Sequence, residues 1–204
     1  MKENMIDKFL AMHGLAIKKF GTAAAVADLL NGTEAEVQTA FDEVASEGLA
    51  MAAKGAFMLT PKGQQTLQTE YPMQFAPLRS DAAANACYAK FEIINNELKQ
   101  LITDWQTMNV AGQTVPNDHS NSEYDDNIID RLGDLHERAE PMLKALTAAV
   151  PRLKRYSDRL GVALDKAENG EINFVSGAKI DSYHTVWFEL HEDLLRILDM
   201  KRDD

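Results

Sequence analysis

Two stretches of the chain gather side chains that could do chemistry. Asp181-Ser-Tyr-His-Thr-Val-Trp-Phe-Glu-Leu-His-Glu-Asp-Leu-Leu195 places Tyr183 beside two imidazoles, His184 and His191. Pro116-Asn-Asp-His119 sets Asn117, Asp118 and His119 in a row, with Asp104 and Trp105 shortly before and Tyr124 shortly after. An Asp-His pair can carry acid–base work. Against that, Asn117 or Asp118 can simply make a turn or cap the next helix. His184 and His191 stand two helical turns apart, whereas metal pairs on one helix use i,i+3 or i,i+4, so no metal is expected there. Boundary histidines hydrogen-bonded to other helices fit the spacing better. Arg152, Lys154, Arg155 and Arg159 form a basic cluster suited to a carboxylate or phosphate group, or equally to the carboxylates of neighbouring helices. No glycine-rich phosphate loop, serine elbow or Cys-His pattern occurs, so no catalytic residue and no cofactor are expected.

The elements that must position these groups are mostly helical. Cys87, Phe91, Ile94, Leu98, Leu101, Trp105 and Met108 recur at alternating steps of four and three, as do Ile128, Leu132, Leu135, Ala139, Met142 and Leu146. Pro151 can open a third helix carrying Leu153, Tyr156, Leu160, Ala163 and Ala167, and Tyr183, Trp187, Leu190, Leu194 and Ile197 give a fourth. Four such stripes bury one another most simply as an antiparallel four-helix bundle over residues 82–204. Asn109–Asn121 reads as a long polar loop, and Ile172–Val175 as a short β-like run. His136 falls one position off its stripe and reads as a rim residue.

The first seventy residues have a different rhythm. Helical spacing over Met5–His13 and Thr22–Leu30 is followed by the turn Asn31-Gly32 and by Thr33 with Glu36, a capping box. Val37, Phe41, Val44 and Ala45 make a stripe that Gly48 terminates. Leu49–Ala52 and Ala56–Leu59 flank Lys54-Gly55 as two short strands, and Thr60-Pro-Lys-Gly63 starts another helix. With Glu47-Gly-Leu49 before the hairpin and Leu59-Thr-Pro-Lys-Gly-Gln-Gln-Thr-Leu67 after it, the block resembles the winged-helix regulators of the MarR and PadR kind. The resemblance covers roughly residues 5–70 and implies a winged helix-turn-helix domain in residues 1–70. The prolines of Glu70–Arg79 break a helix, so residues 71–81 are read as a linker. The later segment Ser-Tyr-His-Thr-Val-Trp-Phe-Glu-Leu-His-Glu resembles one found in bacterial proteins of the same two-part build, and implies no activity.

Such regulators usually bind DNA, but the helix that would read it carries Glu34, Glu36, Asp42, Glu43 and Glu47 and no basic residue. Only Gln38 and Thr39 could meet base edges, and Lys18, Lys19, Lys54 and Lys62 could touch phosphates, a thin footprint beside five carboxylates. The whole chain of 204 residues has a formal charge of -11, which opposes general attraction to nucleic acid or anionic lipid. One cysteine, Cys87, excludes an internal disulfide and fits a reduced compartment. No signal peptide or membrane span is apparent, so a cytoplasmic location is expected. The expectation is a non-catalytic regulatory or adaptor protein with a protein partner, and a homodimer and a small-molecule ligand stay open. A homodimeric DNA-binding regulator is one rival. An enzyme using the His/Asp residues is the other.

Overall fold

The computed structural model describes residues 6–202; Met5, the expected start of the first helix, lies outside them. The fold is mostly α, with two small antiparallel sheets. No helix among the described residues is long and apolar enough to cross a membrane.

The contacts divide the chain into two compact units, one comprising the chain up to Asp81 together with the stretch from His191 onward, the other Ala82–Leu190. In the first unit, α1 (Lys8–Lys18) starts on Asp7, whose carboxylate accepts from the Leu10 N–H. Helix α2 (Ala23–Leu30) is capped by Thr22, and α3 (Glu34–Ser46) by the Thr33–Glu36 capping box. Strands β1 (Ala50–Ala53) and β2 (Ala56–Leu59) pair through a turn whose two residues both have positive φ, Lys54 at 51° and Gly55 at 79°. A bridge between Gly21 and Phe57 adds a third short edge to this ribbon. Helix α4 (Pro61–Gln74) follows, with Gly63 where an added Cβ would fall 1.9 Å from the Leu49 carbonyl oxygen; only glycine lets the helix start this close to the strand. Phe9, Met12, Leu15, Val37, Phe41 and Leu67 fill the core between these elements.

Two readings of the proline segment need correction. Helix α4 runs through Pro72, and α5 (Ala76–Arg79) takes Pro77 into its first turn. Pro72 lies close to the end of α4 on an exposed face, so only the bond to the Gln68 carbonyl is lost and water can replace it.

The second unit contains α6 (Ala82–Gln106), the hairpin β3 (Thr107–Val110) and β4 (Gln113–Pro116), α7 (Ser122–Ala149), a 3-10 turn at Pro151–Leu153, α8 (Lys154–Glu168), α9 (Asn173–Ser176) and the first half of α10 (Tyr183–Leu198). The apolar stripes of α6, α7 and α8 are buried, and Phe91, Trp187 and Tyr183 stack in series. The stretch expected to be a plain polar loop instead forms the β3–β4 hairpin, with Ala111 and Gly112 at positive φ in its turn; Met108 accordingly leaves the helix and pairs with Val115. The β-like run Ile172–Val175 is a single helical turn, its N–H groups bonding three residues back.

Candidate functional site

The end of α6 and the start of α7 bring the loop Pro116–Asn121 against Trp105. Asn117 is buried, and its side-chain amide donates to the Trp105 carbonyl at 3.0 Å and to Asp125 Oδ1 at 2.7 Å. Its own N–H donates to the Gln106 carbonyl, and its side-chain oxygen accepts the N–H of His119. His119 takes the left-handed conformation, φ 60°, which turns its ring over Trp105 with centroids 4.5 Å apart. The imidazole Nδ1 sits 3.0 Å from Asp125 Oδ2, so one buried carboxylate serves both Asn117 and His119. Tyr124 Oη lies 2.9 Å from the carbonyls of both Asp104 and Thr107, tying α7 to the base of the hairpin.

Asp104, Trp105, Asn117, His119 and Tyr124 are thus brought together, and Asp125 joins them although it was not among the candidates. Asp118 is turned outward, where its carboxylate accepts the N–H and the hydroxyl of Ser120, bonds that hold it below the usual carboxylate range. Asp104 loses some solvation, but hydrogen bonds from Arg131 and Gln100 outweigh that and hold it low as well. Chemically, the His119–Asp125 pair orients an imidazole by one nitrogen and leaves Nε2 outside these contacts, as an acid–base site requires. The hydroxyls beside it are committed: Ser120 to Asp118, Tyr124 to backbone carbonyls. The stronger role visible in the geometry is a staple that closes the loop. Among the described residues no group of three or more His, Cys, Asp or Glu could hold a metal ion.

The second stretch, Asp181–Leu195, has a different fate. Arg159 is buried and spanned by carboxylates, with Asp181 bidentate at 3.1 and 2.8 Å and Glu189 at 2.8 Å. Its guanidinium stays charged because these partners outweigh desolvation. An incoming anion at Arg159 would have to displace them. Arg155 is half-buried alongside. Tyr183 is buried; desolvation keeps the phenol protonated, and its hydroxyl lies 3.1 Å from His136 Nδ1. His184 is half-buried, His191 is buried, and neither takes part in the cluster around His119.

In the first unit the exposed face of α3 presents Glu34, Asp42 and Glu43. Gln38 Nε2 donates to Asp42 Oδ1 at 2.8 Å, and the Thr39 hydroxyl donates to the Ala35 carbonyl at 2.9 Å, so both side chains considered for base reading already have partners. Lys62 Nζ donates to the Glu47 carbonyl at the end of α3, Lys19 reaches Glu192 at 3.2 Å, Lys18 is half-buried, and Lys54 is exposed at the hairpin turn. Compared with models of known protein families, with curated proteins and with solved structures, the chain matches none.

Proposed function

We propose a non-catalytic regulatory or adaptor protein in which the first unit is a winged helix that docks on a protein with a basic surface, and the second unit, built around the long α6–α7 pair, is a four-helix-bundle-like domain that holds a ligand or partner. The observation that carries this reading is the outward face of α3. Its carboxylates repel phosphates, and its three amide or hydroxyl side chains, Gln38, Thr39 and Ser46, are engaged within the helix. Of the lysines that could touch a DNA backbone, Lys62 and Lys19 are drawn to acceptors of their own chain. Lys8 adds to this by pairing with Glu47 at 2.6 Å, so the basic residue beside α3 is already partly offset.

The test is fluorescence polarisation with labelled duplex DNA at low and at physiological salt. Wild-type protein gives no binding at either, whereas the triple variant Glu34→Lys, Asp42→Lys, Glu43→Lys gains binding that falls steeply with added salt. Salt-dependent wild-type affinity in the same range as the variant's would overturn the docking reading in favour of a DNA-binding homodimer.

A further inference from the structure

The first unit contains a cavity of about 410 Å³ between α1, β2, α4 and the last turns of α10, a size within the range of small-molecule sites. Its apolar wall is aliphatic: Leu15, Leu59 and Leu67, with half-exposed Met58 at the edge. The aromatic ring that reaches it, Tyr71, is already packed edge-on against Phe9 and His13. The opposite side is cationic, formed by Lys19 and Arg196, and the amides of Gln64 and Gln68, one turn apart on α4, stand exposed at the mouth.

Two facts about the cationic side point to an anion. Arg196 Nε is buried and meets no hydrogen-bond acceptor among the described residues, although a guanidinium N–H removed from water is costly to leave unmade. Nearby, Glu192 faces three cations: Lys19 at 3.2 Å, Arg196 at a long 3.5 Å, and Arg202. These cations hold Glu192 below the usual carboxylate range despite its loss of solvation. The residues lining the cavity include two cations, Lys19 and Arg196, and no carboxylate, in a chain whose overall charge is -11.

We propose that this cavity binds a small aliphatic monocarboxylate, its carboxylate received by the Arg196 guanidinium and Lys19 and its hydrocarbon body lying on Leu15, Leu59 and Leu67. A carboxylate suits a guanidinium because its two oxygens can accept from two nitrogens together. The site lies apart from the exposed face of α3, so it stands whether or not that face docks on a partner.

Isothermal titration of the full chain with hexanoate, against hexanamide and against sodium chloride of equal ionic strength, tests the assignment. Hexanoate binds saturably with one site per chain, and hexanamide, equal in shape but neutral, binds about tenfold more weakly or not at all. Arg196→Gln lowers hexanoate affinity about tenfold or more. Gln68→Glu, at an exposed position, weakens it comparably by adding a negative charge at the mouth; circular dichroism checks that both variants are folded. Equal binding of hexanoate and hexanamide, hexanoate binding untouched by both folded variants, or no hexanoate binding at all would each overturn the proposal.

Discussion

His136 is half-buried beside the phenol of Tyr183, and the two side chains constrain each other's proton. The phenol stays neutral; where it donates, Nδ1 accepts, which requires the uncharged ring with its proton on Nε2. Burial pushes the imidazole below its ordinary value of 6.5, against the pull of Glu140 and Asp165. Because the folded value is depressed, the unfolded chain takes up the proton first on acidification. The stability from this pair is therefore complete above about pH 6.5 and declines as pH falls beneath it. His184, lowered by its own burial, adds to the same slope. Melting temperatures measured from about pH 7.5 down to about pH 5.5 should fall for the wild type and fall less for His136→Gln, whose amide oxygen still accepts from Tyr183. An identical slope in the variant would assign the acid sensitivity elsewhere. At this scale the sequence showed the polar residues that lie off the apolar stripes and hid those lying on them. Asp125 sits three residues before Ile128, in line with Leu132 and Leu135, and Asp193 likewise sits three residues after Leu190 and four before Ile197. An acidic residue in register with a buried stripe is the signal that could have found both.

The long helices were legible because each carries an uninterrupted apolar stripe, and α6, α7, α8 and α10 all lie where the spacing placed them. The short elements were not, since their formation depends on what surrounds them. The Ala111-Gly112 turn lacks the Asn-Gly or Asp-Gly pair that marks a hairpin, and β3 and β4 are half-exposed strands of four residues with little pattern to read. They are positioned instead by the contacts of Asn117, Tyr124 and His119 at their base. Asn117→Ala should cost about 1–3 kcal/mol in urea denaturation, because the Trp105 carbonyl and Asp125 Oδ1 lose a buried donor. Amide exchange over residues 107–121 should rise more than in the middle of α7, the pattern expected when a staple rather than a core residue is removed. A global, uniform rise in exchange would contradict the staple.

At the scale of the molecule, the division of the chain departs from the one its prolines suggested. Residues 71–81 are largely helical rather than a linker, and the stretch from His191 onward belongs with the first unit although it was expected to complete the second. That stretch supplies Leu194, Ile197 and Leu198 as buried residues, and Asp193, whose fully buried carboxylate lies 3.1 Å from His13 Nε2 while His13 Nδ1 lies 2.7 Å from Tyr71 Oη. Arg79 in turn donates to the carbonyls of Arg196 and Ile197. A fragment of residues 1–81 should accordingly be poorly folded: without Asp193, His13 keeps a buried polar nitrogen, and several kcal/mol of apolar burial are absent on the order of 2 kcal/mol per large side chain. Loss of cooperative melting and strong binding of an apolar dye, each reversed on adding back a peptide of residues 183–204, would be the outcome. Cooperative melting of the fragment alone would contradict it. The His13–Asp193 pair spans 180 positions of sequence, and ribosomes deliver those positions in order. The part of the first unit up to Asp81 is therefore made before the second unit and completed after it, waiting through the synthesis of Ala82–Leu190 for the residues that fill its core.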